Sequence, residues 1–332
     1  MKMNKMAFAA AVALMSASGA AMAKQKVCVF DLLGAQGDAF GMMKDYSLFA
    51  AKQGAQLELA PYTSESVALS DLKAGQCDMA LMTGLRGREL NLFTGSMDSI
   101  GGIPSYQILQ KVYATLASPA VSQFMTKSGF EVAGMAPAGA AYLFVNDRQI
   151  NTVAKLSGKK IASFDYDKSQ AKMIQKVGAQ PVSADITNFG AKFNNGSVDI
   201  IAAPALAYKP LELFKGLGTK GAIVRFPVVQ LSFQLFIKQD KFPAGFGQKS
   251  REYWMTQYDR AKSLIDKAEK SVPAAAWMDL PEADKEKYVV LMRDSRIALT
   301  QDGLYDKTMM KVLKKSRCAV NGGDAECAQN LE

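Results

Sequence analysis

The sequence has no histidine in its 332 residues. This absence excludes Ser-His-Asp and Cys-His catalysis, histidine-ligated zinc and the zincin helix. Long apolar runs are missing as well. The leading run, Met6 to Met15, is far shorter than the roughly 20 residues that a membrane-spanning helix needs, and no later run approaches that length. We therefore expect a soluble mature chain whose chemistry proceeds without imidazole.

The composition is that of a globular protein. Hydrophobic residues make up 49% of the chain and charged residues 21%, unlike the composition of disordered proteins. The length of 332 residues predicts about two domains of roughly 150 residues each.

Residues 1–23 have the pattern of a secretory signal peptide. Lys2 and Lys5 precede the apolar run, and the segment ends in Ala21-Met22-Ala23, an A-x-A cleavage site. The run is too short for a membrane anchor, and Cys28 lies too far downstream for a lipoprotein. The segment predicts export to the periplasm through a cleavable signal peptide.

The four cysteines all follow that segment, and an even number in an oxidising compartment predicts disulfides. Four cysteines allow three pairings. We favour Cys28–Cys77, since each opens a strand-like run, and Cys318–Cys327, which flank a flexible loop. A zinc site is the rival interpretation, but no spacing is C-x-x-C, so we expect no metal.

The basic surplus does not indicate a nucleic-acid partner. Without Lys2 and Lys5, 38 basic residues stand against 31 acidic ones, and the positive charges are scattered. The densest group, within 311–317, falls at the end of a predicted helix, where it complements the helix dipole.

The order of elements predicts two α/β lobes. Strand-like and helix-like segments alternate as β-α-β-α-β from about 26 to 84 and again from about 140 to 204, which favours parallel sheets with helices on their faces. A strand-like run over 228–237 and helices over 253–271, 281–300 and 303–316 follow. We expect a two-lobed fold with a central cleft and long C-terminal helices.

The predicted boundaries place lobe I at 24–141 plus about 232–270, and lobe II at 142–231. The C-terminal helices and a disulfide-closed tail take 271–332.

Two glycine motifs carry no nucleotide-binding signal. Gly216 to Gly221 matches G-x-G-x-x-G, but a strand follows it where the dinucleotide motif needs a helix. Leu156 to Lys160 lacks the spaced glycine of a P-loop. We predict loops at both places and expect no cofactor.

Candidate binding residues come from the predicted strand ends and the lobe junction. Arg86 and Arg88 follow a strand, where arginine suits carboxylate or phosphate, although a solvated surface pair is an equal alternative. The acidic pairs Asp31/Asp38 and Asp165/Asp167 more often cap helices than catalyse, so we expect no enzyme. The full set of predicted ligand-binding candidates is Asp31, Gln36, Tyr62, Ser64, Thr83, Arg86, Arg88, Tyr142, Asp165, Tyr166, Pro204, Tyr208 and Phe233.

The stretch from Ile150 to about Pro243 resembles TRAP-type (DctP-like) periplasmic solute-binding proteins. INTVAKLSGKKIASF, KVGAQPV, FGAKFNNGSVDIIAAP and QLSFQLFIKQDKFPAG are similar, in order, to that family's segments. The likeness is greatest to a divergent branch whose members are sometimes described as RND-efflux-associated.

The resemblance implies a two-lobed fold with hinge strands, which captures a small polar or anionic solute for membrane permease subunits, as a monomer. The departures concern the ligand: Ala162 stands where the family places a carboxylate-clamping arginine, and Tyr142 and Ala203 stand at two further polar positions. Alternatives are a periplasmic accessory of RND-type efflux or drug resistance, and a histidine-independent enzyme that uses carboxylates.

Overall fold

The computed structural model describes residues 24–332. The predicted signal peptide, residues 1–23, lies outside the described residues. The strands are β1 Gln25–Phe30, β2 Leu57–Tyr62, β3 Met79–Thr83, β4 Thr126–Lys127, β5 Phe130–Val145, β6 Lys160–Phe164, β7 Gln180–Ala184, β8 Ile200–Pro204, β9 Ala222–Val224, β10 Val229–Lys238 and β11 Trp277–Met278. The helices are α1 Asp38–Lys52, α2 Glu65–Ala74, α3 Gly84–Gly87, α4 Leu92–Gly95, α5 Tyr106–Ala117, α6 Ser122–Met125, α7 Lys168–Lys176, α8 Phe189–Asn194, α9 Phe214–Leu217, α10 Phe246–Thr256, α11 Tyr258–Ser271, α12 Glu282–Gln301 and α13 Lys307–Val320.

Several helices begin and end at residues whose side chains or backbone suit those positions. The hydroxyl of Ser64 accepts the N–H of Val67 at the start of α2, and Gly75 ends that helix at a φ of 79°, which favours glycine. The carboxylate of Asp167 accepts N–H groups at the start of α7, and that of Asp306 does so at the start of α13. These capping residues set the points at which the helices begin. They therefore also set the points at which the loops facing the cleft stop.

One continuous sheet joins two α/β units, so the predicted fold class is confirmed. Its main strand order is β2-β1-β3-β10-β5-β8-β6-β7. We call the unit on β1, β2 and β3 lobe I and the unit on β6, β7 and β8 lobe II. Strands within each set of three pair in parallel, as the β-α-β-α-β pattern predicts.

Two long antiparallel strands, β5 and β10, run between the lobes. Their pairing shifts register between Leu231 and Ser232 and again between Leu235 and Phe236. Gly139, opposite Leu231, has a φ of 98°, which side chains with a Cβ rarely adopt. These irregular positions interrupt the ladder of the two strands that link the lobes, which we call the hinge strands.

The C-terminal helices brace both lobes. Tyr288 and Met292 of α12 pack in a core cluster of lobe II, whereas Met309 and Leu313 of α13 pack in a core cluster of lobe I. None of the helices in residues 24–332 combines the length and apolar character that crossing a membrane requires.

Both favoured disulfides are present. Cys28–Cys77 joins the start of lobe I to the segment before β3, with its Cα atoms 6.0 Å apart. Cys318–Cys327 closes the tail beyond α13, with a Cα separation of 5.7 Å.

Buried ion pairs hold that tail in place. Arg296 Nε lies 2.8 Å from Glu332 Oε1, and Arg317 Nε lies 2.6 Å from Glu326 Oε1. Arg317 also donates to the carbonyl of Gly102 at 2.8 Å. The basic group at the end of α13 therefore does more than complement the helix dipole.

The predicted helix over 253–271 was wrong in its bounds. The structure has two helices there, because α10 ends at Thr256 and α11 begins at Tyr258. The Thr256 hydroxyl donates to the carbonyl of Tyr253 at 2.7 Å, a back-bond that bends helices. The prediction for β5 was too short, since it began at 140 rather than Phe130.

Candidate functional site

A cavity of about 200 Å³ lies between the lobes. The carboxyl ends of β1 and β3 reach it from lobe I, those of β6 and β8 from lobe II, and the hinge strands pass beside it. Ligands of open α/β sheets bind beyond the carboxyl ends of parallel strands. Most of its wall is apolar, including Phe30, Leu32, Phe164, Phe189, Leu206 and Phe233.

Two buried carboxyl groups line the lobe I end of the cavity. Glu65 Oε1 accepts the N–H of Thr83 at 2.6 Å, and Asp98 Oδ1 accepts the hydroxyl of Ser232 at 2.7 Å. Desolvation raises the pKa of Glu65 above its ordinary value and that of Asp98 to about 7, since burial penalises the charged form. Both groups are therefore drawn towards their neutral forms.

The two arginines after β3 face lobe II side chains. Arg88 Nη1 lies 3.0 Å from Asp167 Oδ1 and donates to the hydroxyl of Ser169 at 3.0 Å. The guanidinium carbon of Arg86 lies 3.5 Å from the centroid of the Tyr166 ring, a cation–π contact. Both contacts bridge the cleft beside the cavity, so the structure is a closed form of the two lobes.

The predicted candidates divide into two sets. Thr83, Pro204 and Phe233 line the cavity. Arg86, Arg88 and Tyr166 meet across the cleft, as described above. The structure does not bring the remaining candidates to the cavity wall, and each has other surroundings.

On the lobe I side, three of these remaining candidates have local roles. Asp31 accepts N–H groups at the start of α1, among them that of Ala39 at 2.9 Å. The hydroxyl of Tyr62 donates to Asp71 at 2.7 Å, and Ser64 caps α2. Gln36 is exposed.

The other remaining candidates lie in lobe II. The hydroxyl of Tyr142 donates to Glu269 of α11 at 2.9 Å. Tyr208 is buried, with its ring centroid 6.4 Å from that of Phe144, and Asp165 is exposed.

The three positions where the chain departs from the resembled family lie together. Tyr142 and Ala203 are paired across β5 and β8, and both belong with Ala162 to one buried apolar cluster of lobe II. Ala203 also lines the cavity. This side of the cleft therefore presents apolar surface where the resemblance implied polar groups.

Sequence reasoning missed the residues that form most of the wall. Phe30 and Phe164 each end a parallel strand, a position that identifies them as candidates once the strands are known. Glu65 and Asp98 gave no such signal, because neither belongs to a motif. Residues 24–332 hold no group of three or more His, Cys, Asp or Glu side chains placed to bind a metal ion.

Comparison with known sequences gives a family match and two named relatives. The family model described as "Solute-binding protein AdeT 1/2" matches residues 47–332. "Probable solute-binding protein AdeT1" of Acinetobacter baumannii is 50% identical over 304 residues, covering 92% of this chain and 100% of the relative. "Probable solute-binding protein AdeT2" of the same organism is 28% identical over 233 residues, covering 70% of this chain and 98% of the relative.

Solved structures share the fold at low sequence identity. A TRAP periplasmic solute-binding protein from Desulfovibrio salexigens with bound orotic acid has a TM-score of 0.76 at 12% identity, covering 90% of this chain and 99% of that one. A TRAP periplasmic solute-binding protein from Haemophilus influenzae with bound L-gulonate has a TM-score of 0.73 at 12% identity, covering 88% of this chain and 99% of that one. These likenesses establish the two-lobed fold.

Proposed function

This chain belongs to the AdeT 1/2 family of solute-binding proteins, and from that premise we propose that it captures a small solute in the periplasm and delivers it to the membrane subunits of a TRAP-type transporter. Capture works by hinged closure of the two lobes, a ligand-driven shift between open and closed populations. The solute is bound and released unchanged, without enzymatic turnover.

The observation that carries this proposal is the closed cavity beside the hinge strands. It lies between the two lobes, and the Arg88–Asp167 pair and the Arg86–Tyr166 contact bridge the lobes next to it. A solute in this position contacts both lobes at once, so its binding energy favours the closed form over the open one.

Three of the predicted candidates contact the solute in this proposal. They are Thr83 of lobe I, Pro204 of lobe II and Phe233 of the hinge. Arg86, Arg88 and Tyr166 hold the lobes together rather than the solute. The other predicted candidates serve the surrounding structure.

Two features support a periplasmic location. Residues 1–23 have the sequence pattern of a signal peptide. The disulfides Cys28–Cys77 and Cys318–Cys327 are typical of an oxidising compartment.

A thermal-shift screen combined with small-angle X-ray scattering tests the binding function. The purified protein is screened against organic acids, amino acids, siderophores, polyamines, aminoglycosides and uncharged small molecules. We expect at least one class to raise the melting temperature, since a ligand at 100 times its Kd adds about 2.7 kcal/mol. The same compound lowers the radius of gyration. A flat screen with an unchanged radius of gyration contradicts the proposal.

Photo-crosslinking tests the transporter partner. A photoreactive amino acid replaces Leu33 or Phe214, which are exposed on lobe I and lobe II respectively. We expect crosslinks in native membranes to a TRAP-type membrane subunit, strengthened by a stabilising compound from the screen. Crosslinks to RND-type efflux components instead would favour the accessory function.

A further inference from the structure

We propose that the solute is an uncharged, mainly apolar molecule. This inference rests on the proposed function and specifies its ligand class. Apolar side chains from both lobes and the hinge surround a cavity of about 200 Å³. Apolar cavities of this kind accept apolar molecules, since little water has to be displaced from hydrogen-bonding groups.

The wall offers no cation to an acidic solute. Within residues 24–332, no lysine or arginine lines the cavity. Of the two arginines that bridge the lobes, Arg86 stacks on the ring of Tyr166 and Arg88 is paired with Asp167. A carboxylate that enters such a space loses its hydration without a compensating partner, which strongly disfavours its binding.

Most polar side chains in the wall already have hydrogen-bond partners. Glu65 and Asp98 accept from Thr83 and Ser232, and Gln170 Oε1 accepts the N–H of Phe164 at 2.7 Å. An anion that displaced these bonds would leave buried groups unsatisfied. Thr83 and Tyr288 line the same cavity, and a hydroxyl group is one with which an uncharged solute can exchange a hydrogen bond.

The three carboxyl groups in the cavity wall, those of Glu65, Asp98 and Asp167, give little attraction for cations. Asp167 is neutralised by its contact with Arg88 at 3.0 Å. Desolvation draws Glu65 towards its neutral form by raising its pKa. Asp98 already accepts the N–H of Ser232 at 3.0 Å and its hydroxyl at 2.7 Å, so an ammonium group finds no carboxylate without a partner there.

Three probes with one apolar skeleton test the inference. They are 4-phenylbutan-1-ol, 4-phenylbutanoate and 4-phenylbutylamine, and their binding to the purified protein is measured by isothermal titration calorimetry. We expect the alcohol to bind at least tenfold more tightly than the carboxylate and the amine. A carboxylate or an amine that binds as tightly as the alcohol overturns the inference.

A variant that fills the cavity locates the binding. Ala202 lines the cavity, so Ala202→Phe should weaken binding of the alcohol at least tenfold. The matched control is Ala114→Phe on the exposed face of α5, which should leave the affinity unchanged. The melting temperature of each variant without probe checks its fold. Unchanged affinity in a folded Ala202→Phe protein places the probe elsewhere and overturns the inference.

The two proposals fail in different ways. If charged metabolites from the screen bind and 4-phenylbutan-1-ol does not, the ligand class is wrong and the solute-binding function stands. If neither the screen nor the probes give binding, both are wrong.

Discussion

Arg88 joins the two lobes through one guanidinium group. It bonds to Asp167 and Ser169 of lobe II and, within lobe I, to the carbonyl of Gly95 at 3.2 Å. Its side chain and that of Asp167 are 12% and 6% exposed, so water screens the pair little. The pair therefore contributes to the closed form more than a surface ion pair would.

Replacing Arg88 should open the protein. In Arg88→Gln we expect the closed form to be destabilised relative to the open form by about 1.5–3 kcal/mol, the typical contribution of a hydrogen bond to a charged group. That loss shifts the population of open and closed forms tenfold or more. With the stabilising compound from the screen present, small-angle scattering of the variant should give a larger radius of gyration than wild type.

Lys172→Gln provides the control for that experiment. Lys172 pairs with Asp302 at 2.8 Å, but their side chains are 52% and 47% exposed, so this loss should leave the radius of gyration unchanged. Equal radii for Arg88→Gln and wild type would show that the buried pair does not hold the lobes closed.

Asp98 should make stability depend on pH. Its pKa rises from an ordinary 3.8 to about 7 on folding, mainly by desolvation. The folded state thus binds the proton more tightly, and the stability from this group is present below pH 3.8 and lost as pH rises through about 7. The slope for one proton is at most about 1.4 kcal/mol per pH unit.

Urea unfolding between pH 5 and 8 measures this dependence. Asp98→Asn should flatten the decline in unfolding free energy towards pH 8, because the amide does not ionise. The same decline in wild type and variant would assign the pH dependence to other groups.

At the scale of elements, the two disulfides close loops of different length. Cys28–Cys77 spans 49 residues, and Cys318–Cys327 spans 9. Chain-entropy reasoning gives a stabilisation of about 4 kcal/mol for the long loop and about 2.6 kcal/mol for the short one.

Removing each bridge should reproduce that order. We expect Cys28→Ala/Cys77→Ala to lose more unfolding free energy than Cys318→Ala/Cys327→Ala, measured by urea denaturation. A larger loss from the short bridge would instead assign much of the stability to the tail that Arg296 and Arg317 hold.

Local sequence patterns predicted the parallel units well and the long hinge strand poorly. Each β-α-β-α-β unit has short apolar strands, a capping residue such as Ser64 and turn glycines such as Gly75. The order of strands and helices can therefore be derived from short stretches of sequence. The part of β5 that the prediction left out, 130–139, contains Gly134, Pro137 and Gly139, which weaken any strand signal. Its pairing with β10 stabilises it, and that partner lies about a hundred residues away in sequence.

At the scale of the whole molecule, the lobes share one sheet and two bracing helices. Backbone hydrogen bonds run from β2 to β7 without a gap, and α12 and α13 pack on different lobes. We expect one unfolding transition in scanning calorimetry, with calorimetric and van't Hoff enthalpies that agree. Two separate transitions would show that the lobes unfold independently.

The site was predictable in position but not in character. The prediction looked to the strand ends, and the structure has a cavity there with Thr83, Pro204 and Phe233 in its wall. The side chains of Arg86 and Arg88 turn towards lobe II, and no local pattern shows this orientation. The polarity of the cavity depends on which residues from distant segments meet. It could therefore be determined only from the three-dimensional structure.

The register shift between Leu231 and Ser232 has a consequence for repeated use of the protein. Because a bulge bends more easily than a regular ladder, we expect lobe movement to pass through this point and leave the parallel strands intact. Opening then exposes few backbone amides to water, near Gly139 and its partners. The protein can cycle many times while nearly all of its sheet stays protected from hydrogen exchange and from proteases.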